Sequence, residues 1–309
     1  NGIKLMSAGD SSNTIIDGGG SGSVITINGS GLSIDSTTVI RGFKIANGTS
    51  IFYGGGIAMD SVANPVLEDL LFVNNSAYYG GALSCKQASP IISNVGARNN
   101  TATEGGAFYF YDYSSAIISD IAVYYNTASR GGGIFCSEYS HVNIEEASIN
   151  NNIASVGGGG IFSFNNSHFS LNNSEINFNR CGGADMWELE GGGGIHSEGG
   201  SSPYIINSIL NGNYTSSYGG GFKGYGSSPT FVNTVFINNT ADGRGGGVSN
   251  ISGNLSITES KFIANTGSMG GAFDVDNVAG SPLIFNNIIV DNHATYGGTF
   301  RIEQSSVLI

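Results

Sequence analysis

Residues 219–244 read GGGFKGYGSSPTFVNTVFINNTADGR, and most of the chain repeats this pattern. Each repeat opens with two glycines, followed by Gly, Ala or once Thr, and then by a large apolar residue. The clusters are 25–27 residues apart, except for one interval of 34, and begin at Gly54, Gly80, Gly105, Gly131, Gly158, Gly192, Gly219, Gly245, Gly270 and Gly297. A repeat this short cannot enclose a core alone, so it must stack on its neighbours.

Asparagine recurs with the same period, at Asn75, Asn100, Asn126, Asn152, Asn179, Asn213, Asn239, Asn265 and Asn292. Apolar residues lie three and eight positions before each of these asparagines, and Asn, Asp or Glu lies six positions before. Short segments rich in Ile, Val and Phe, interrupted by Gly and Asn, are typical of strands rather than helices. We therefore predict three short strands per repeat, one after the glycine pair and one at each apolar position.

Strands that repeat in phase form parallel ladders with one rung every ~4.8 Å. The predicted fold is all-β: residues 1–309 form one right-handed parallel β-helix of about 11–12 coils, each with three short strands. Residues 1–50 are predicted to form less regular N-terminal coils. The long interval predicts a loop insertion at residues 180–191.

Each polar column has a predicted role. The glycine pair supplies a left-handed backbone and close chain approach. The recurring asparagines are expected to form a ladder of stacked amides at an exposed corner. The residue six positions before each of them is expected to form a second corner that faces water. The third residue of each glycine cluster is expected to form a bare surface stripe, explained by turn geometry or by lateral packing against another rod.

Composition restricts the partners. Only 11% of the residues are charged and the net charge is −12, which disfavours nucleic acid and anionic membranes. No apolar stretch reaches the ~18 residues of a membrane span. No signal peptide is visible and the first residue is Asn1, so we expect a mature or excised segment. Cys85 and Cys136 share a column two coils apart, too far for a disulfide, and with Cys181 are expected to be packed thiols.

Ten Asn-x-Ser/Thr sequons are candidates for N-glycosylation if the chain passes through a eukaryotic secretory pathway. They lie at Asn28, Asn47, Asn74, Asn99, Asn165, Asn172, Asn213, Asn238, Asn250 and Asn254. Four of them lie on or beside the asparagine column, where we expect exposure: Asn74, Asn99, Asn213 and Asn238.

The alternation of GGAL, GGAF and GGGI with FVNN, FINN and FIAN over residues 43–309 resembles the repeats of the chlamydial polymorphic membrane proteins, and more broadly right-handed β-helix surface proteins. This chain departs from that pattern by favouring three glycines and by often lacking Phe before the Asn. The resemblance implies an extracellular or cell-surface protein with a structural or adhesive role and no cofactor. It transfers no catalytic residue.

No cluster typical of catalysis is visible. The chain has no Asp-Asp pair, and its basic residues look singly scattered, at Lys86, Arg98, Arg130, Arg180, Lys223, Arg244 and Lys261. We therefore expect no catalytic, cofactor or metal site. The adjacent acidic pairs Glu68-Asp69 and Glu145-Glu146 are interpreted as solvated corners, with a weak cation site as the alternative. His141 and His168 share a phase on successive coils and are interpreted as stacked rings rather than as metal ligands. A polysaccharide lyase or hydrolase remains the alternative.

The insertion holds the only tryptophan and several acids, and insertions in solenoids often form binding loops. The candidate binding residues are Asp185, Trp187, Glu188 and Glu190. Trp187 would stack on a sugar or anchor a partner, giving a carbohydrate-binding β-helix; the alternative is that Trp187 covers the rod wall. Because neither terminus shows a polar cap, the expected partners are further β-helix coils or other copies of the chain at the rod ends, with glycans as a second class.

Overall fold

In the computed structural model the described residues are 2–31, 34–182, 190–276 and 282–303. Within these ranges the chain is all-β and contains no helix. Its strands, in chain order, are β1 (Lys4–Met6), β2 (Ile15–Asp17), β3 (Ile25–Asn28), β4 (Val39–Arg41), β5 (Lys44–Ala46), β6 (Ile57–Asp60), β7 (Val66–Val73), β8 (Leu83–Lys86), β9 (Ile91–Arg98), β10 (Phe108–Tyr111), β11 (Ser115–Tyr124), β12 (Thr127–Arg130), β13 (Ile134–Cys136), β14 (His141–Asn150), β15 (Ile153–Gly157), β16 (Ile161–Ser163), β17 (His168–Asn172), β18 (Glu175–Asn177), β19 (Arg180–Cys181), β20 (Ile195–Glu198), β21 (Tyr204–Ile206), β22 (Ile209–Asn211), β23 (Tyr214–Thr215), β24 (Phe222–Tyr225), β25 (Thr230–Val232), β26 (Val235–Ile237), β27 (Thr240–Arg244), β28 (Val248–Ile251), β29 (Ser256–Thr258), β30 (Lys261–Ile263), β31 (Thr266–Met269), β32 (Phe273–Asp276), β33 (Leu283–Phe285), β34 (Ile288–Val290), β35 (His293–Ala294) and β36 (Phe300–Glu303).

These strands form three sheets whose neighbouring strands pair in parallel, which confirms the predicted β-helix. Sheet 1 has 11 strands, one for each coil, and follows the glycine pairs: β3, β6, β8, β10, β13, β16, β20, β24, β28, β32 and β36. Sheet 2 has 18 strands and carries both apolar columns. Sheet 3 has 7 short strands that follow the asparagine column: β12, β15, β19, β23, β27, β31 and β35.

The core consists of like residues stacked on one another. The column eight positions before each asparagine is at most 3% exposed and contains Leu67, Ile92, Ile118, Ile144, Leu171, Ile205, Phe231, Ile257 and Ile284. In the column three positions before, the rings of Phe236 and Phe262 stack with centroids 4.6 Å apart. Full burial of each such side chain contributes roughly 1.5–3 kcal/mol to folding. Each added coil therefore adds its own buried side chains to the stability of the rod.

The third residue of each glycine cluster faces this core, so the expected surface stripe is wrong. A Cβ atom added at Gly56 would lie 2.7 Å from the Phe72 ring, and one added at Gly247 would lie 2.8 Å from the Phe262 ring. The first glycine of each pair makes the turn, with φ of 67° at Gly245, and the third residue already belongs to the inward-facing chain. The small residues at this position leave space for large side chains on the opposite side of the same coil. Because they face the core, they cannot pack against a neighbouring rod.

The recurring asparagines form a ladder inside the rod rather than at its surface. All but Asn292 are at most 1% exposed. The Oδ1 atom of Asn126 accepts hydrogen bonds from the backbone N–H and the Nδ2 of Asn100, at 2.9 and 3.0 Å. The Nδ2 of Asn126 donates to the carbonyl of Ala97 and to Oδ1 of Asn152, both at 3.0 Å. Each buried amide is therefore satisfied by the coils on either side.

The exposed corner lies one residue before the ladder. Asn74, Asn99 and Asn238 have φ of 56°, 55° and 55° and are exposed. We expected the exposed corner residue and the stacked amide to be the same residue, and this was wrong: the corner residue is exposed, and the asparagine after it forms the buried ladder. The position six residues before the ladder forms a second corner with a left-handed backbone, with φ of 52° at Asp69 and 53° at Glu146.

Candidate functional site

Most of the predicted binding loop lies outside the described residues: Asp185, Trp187 and Glu188 are not among them. Glu190 is described and ends this segment. Its backbone carbonyl accepts hydrogen bonds from Ser217 Oγ at 2.9 Å and from Lys223 Nζ at 2.5 Å. The binding role of the loop stays a prediction, but its C-terminal end is fastened to the rod.

A second packed layer lies outside sheet 1, and we call it the outer seam. It consists of two rows that run the length of the rod. One row is the second residue of each sheet 1 strand from β6 to β36: Ala58, Ser84, Tyr109, Phe135, Phe162, His196, Lys223, Ser249, Asp274 and Arg301. The other is the residue before each glycine pair: Tyr53, Tyr79, Glu104, Arg130, Gly157, Gly191, Tyr218, Arg244, Met269 and Tyr296.

The N-terminal half of the outer seam is aromatic. Tyr79 stacks on Tyr109 with ring centroids 5.0 Å apart, Tyr109 on Phe135 at 5.4 Å, and Phe135 on Phe162 at 5.0 Å. Such pairs contribute about 0.5–1.5 kcal/mol each beyond the area they bury. Because the ring faces cover one another, this row forms a small second core and leaves few faces on which a sugar could stack.

His196 begins the polar half of the seam. It is fully buried, and neither ring nitrogen has a hydrogen-bond partner. Its Nε2 lies 3.8 Å from Glu198 Oε2. A Cβ atom added at Gly157 would lie 2.6 Å from Nδ1, so the glycine backbone packs directly on the ring. Burial, with the charges of Lys223 and Arg130, holds the pKa of His196 well below its usual value.

Beyond His196 the charges are linked from coil to coil. Two cations contact the Tyr218 ring, with Lys223 Nζ and Arg244 Cζ each 5.4 Å from its centroid. Arg244 Nη1 is 3.3 Å from Asp276 Oδ2. Arg301 Nη1 is 2.6 Å from Oδ1 of the fully buried Asp274. Burial raises the pKa of Asp274, and the hydrogen bond from Arg301 opposes that shift.

The description of the basic residues as scattered was therefore wrong for Arg130, Lys223 and Arg244. The fold brings all three, with Arg301, into the outer seam. Sequence reasoning missed them because the seam columns mix aromatic, charged and small residues and so show no conserved type. Aligning the repeats on the glycine pair and reading the positions one before and four after its first glycine would have found the row. The pairing of opposite charges inside it favours a structural role.

His141 and His168 lie in register on successive coils, with ring centroids 5.2 Å apart, but their planes are inclined at 56° to each other, so the rings are tilted and not stacked. His168 Nδ1 accepts the backbone N–H of Ser202 at 2.9 Å, so this nitrogen is turned to the chain rather than to solvent. No group of three His, Cys, Asp or Glu side chains in the described ranges is arranged to hold a metal ion.

The cysteines are buried and free. Phe110 lies between Cys85 and Cys136 in the ladder of sheet 1. Burial raises the pKa of all three thiols, which keeps them protonated and unreactive at neutral pH.

The sequons fall into three groups. Six are exposed: Asn28, Asn47, Asn74, Asn99, Asn238 and Asn254. Asn165 and Asn172 are half-buried. Asn213 and Asn250 are fully buried, which corrects the expectation that Asn213 is exposed; it is a member of the ladder, and its Nδ2 donates to Oδ1 of Asn239 at 2.9 Å.

Comparison with known proteins gives no relative: no family model, no curated protein and no solved structure matches this chain. In the ranges that the structure covers, no helix could cross a membrane.

Proposed function

We propose that this chain is a structural or adhesive rod of a cell surface or extracellular filament, either a segment of a longer β-helix or a subunit that assembles end to end. The observation that carries the proposal is the state of the two ends. Among the residues that the structure describes, strands β1, β2 and β3 each pair with a strand of the next coil and with no other strand. Within the described ranges, which end at residue 303, strands β33, β34 and β36 pair with the preceding coil and with no other strand.

Both ends also present apolar side chains that continue the inner columns. The N-terminal end opens into a cavity of about 580 Å³ lined by Ile3, Leu5, Ile25, Ile27, Ile34 and Ile40, among others. At the C-terminal end, Phe300 is 41% exposed and Ile302 is 37% exposed, although they stack on the core residues Phe273 and Val275. Such surfaces are costly to leave in water, and unpaired edges favour further strand pairing.

The two ends match each other. Head-to-tail contact keeps every strand parallel, places the last coil against the first, and continues the apolar columns across the junction. This contact is heterologous, so it generates an open fibre rather than a closed oligomer. At ~4.8 Å per rung, 11 coils give a unit about 50 Å long.

Sedimentation velocity over a wide concentration range tests this proposal, with two variants on one strand. Ile16 stacks on the core residue Ile45, whereas Ile15 beside it points outward and is 53% exposed. We expect the chain to form concentration-dependent assemblies, Ile16→Lys to abolish them, and Ile15→Lys to leave them unchanged. A wild-type chain that stays monomeric at high concentration, with its terminal strands protected from hydrogen exchange, would refute the proposal.

A further inference from the structure

We propose that the corner preceding the asparagine ladder is an acceptor row for N-linked glycans, at Asn47, Asn74, Asn99 and Asn238, and that acceptors on successive coils exclude each other. The inference rests on the proposed extracellular location, because the modification requires passage through a secretory pathway.

The fold places each part of these sequons differently. The acceptor asparagine occupies the left-handed corner, with φ between 55° and 57°, and is exposed. In three of the four, the middle residue is the buried ladder asparagine, which fixes the corner from inside. The hydroxyl residue begins the next outer segment and is exposed or half-buried, at Thr49, Ser76, Thr101 and Thr240. The acceptor amide therefore lies at the surface without any change in the core.

Three of the acceptors stand on successive coils. The backbone N–H of Asn47 bonds to the carbonyl of Val73, and that of Asn74 bonds to the carbonyl of Arg98. Their hydroxyl residues are likewise in register, since Thr49 bridges Ser76 and Ser76 bridges Thr101. The backbones of successive acceptor residues are therefore about one rung, ~4.8 Å, apart. An N-acetylhexosamine ring is wider than one rung, so a glycan on one coil covers the acceptor on the next.

The donor is a lipid-pyrophosphate-linked oligosaccharide. Nδ2 attacks C1 of the first sugar, the C1–O bond to the pyrophosphate breaks, and the lipid pyrophosphate leaves with the bonding electrons. The proton lost from the amide nitrogen passes to a base of the transferase. The step needs an accessible Nδ2 and no oxidant or reductant.

Two sequons fail this requirement in the folded chain. The Nδ2 of Asn213 donates to the carbonyl of Ile176 at 2.8 Å as well as to Asn239. The Nδ2 of Asn250 donates to the carbonyl of Gly253 at 2.7 Å. A glycan on either nitrogen would replace a hydrogen bond in the interior by a bulky group, so the secreted, folded protein should carry none at these positions.

The experiment is glycopeptide and intact-mass spectrometry of the full chain secreted from eukaryotic cells. We expect Asn238 to be occupied, Asn213 and Asn250 to be empty, and Asn74 and Asn99 together to carry about one glycan per chain. Asn74→Gln should then raise occupancy at Asn99, whereas Asn238→Gln should leave it unchanged. Full occupancy of both Asn74 and Asn99, glycan on folded protein at Asn213, or no glycan at any corner would overturn the inference.

Two substitutions that add a sequon distinguish the accessibility of a corner asparagine from the exclusion of one glycan by another on the next coil. Ile153→Thr completes a sequon at Asn151, a corner residue whose counterparts on the neighbouring coils are Tyr125 and Phe178, and should add one glycan. Ala264→Asn completes a sequon with Thr266 one coil beyond Asn238 and should add none, because the two sites share one glycan. If both substitutions add a full glycan, exclusion is wrong. End-to-end assembly is measured on unglycosylated protein, so the two proposals fail independently.

Discussion

The asparagine ladder makes a quantitative prediction for Asn126→Ala. The substitution removes the Oδ1 that accepts the buried backbone N–H of Asn100 and the Nδ2 that donates to the carbonyl of Ala97. Each buried polar group left without a partner costs about 1–3 kcal/mol. Two such groups and a small cavity give an expected loss of about 2–5 kcal/mol in the free energy of unfolding.

Asn126→Asp separates hydrogen bonding from packing, because the side-chain volume is nearly unchanged. Its carboxylate would keep the acceptor facing Asn100 but set a second oxygen against the Ala97 carbonyl and against Oδ1 of Asn152. We expect it to destabilise more than Asn126→Ala at pH 7. Burial raises the carboxyl pKa in the folded state, so the penalty grows as pH rises above about 4, the pKa of Asp in the unfolded chain.

Urea unfolding measures both effects, with hydrogen exchange in the neighbouring coils as a local readout, since long repeat arrays can unfold in parts. Asn143→Ala is the matched control, because Asn143 is exposed on β14 and accepts only a surface hydrogen bond from Ser170. We expect it to cost less than about 0.5 kcal/mol. If Asn126→Ala costs no more than this control, the ladder does not stabilise the rod through its buried hydrogen bonds.

Two further predictions concern the seam and the core. Because the neutral form of His196 is favoured in the folded chain, the free energy of unfolding should be highest above pH about 6.5 and fall by about 1.4 kcal/mol per pH unit below that value. His196→Phe, which continues the aromatic row, should remove this pH dependence in unfolding curves from pH 4 to 8. An unchanged slope would show that other groups cause the dependence. Gly221→Ala should destabilise the folded chain by about 1–3 kcal/mol, because the new Cβ would lie 2.7 Å from the Gly247 carbonyl and 3.1 Å from the Phe236 ring. Gly298→Ala is the control and should be neutral, because no atom lies closer than 4.0 Å to the new Cβ. Equal melting temperatures for the two variants would contradict the packing argument.

The sequence predicts the parallel stack because the period is carried by residues that repeat in type. It predicts less well which side of the wall a residue faces. At Asn75, an asparagine suits both a left-handed corner and a buried ladder of amides. The hydrogen bonds to Asn100 show that Asn75 belongs to the ladder. At Gly56 the need for a small residue comes from the opposing Phe72, which lies in another segment of the coil.

The outer seam was not predictable from residue type for a related reason. The residue type at each seam position depends on the side chain that it contacts on the next coil, and no single residue type suits every coil. Glu104 is followed by Arg130, which approaches it within 3.4 Å, while Gly157 follows because the His196 ring needs the space. Complementarity of this kind changes along the rod, so the positions of the seam recur with the repeat but its residue types do not.

The direction of the rung hydrogen bonds has a mechanical consequence. They run along the rod axis, so a force pulling on the two chain ends loads one rung at a time instead of shearing many together. A coil that detaches releases about 26 residues, which extend to roughly 90 Å at ~3.4 Å per residue, in place of one rung of ~4.8 Å. A rod built this way lengthens under tension in steps of about 85 Å and keeps its remaining coils intact.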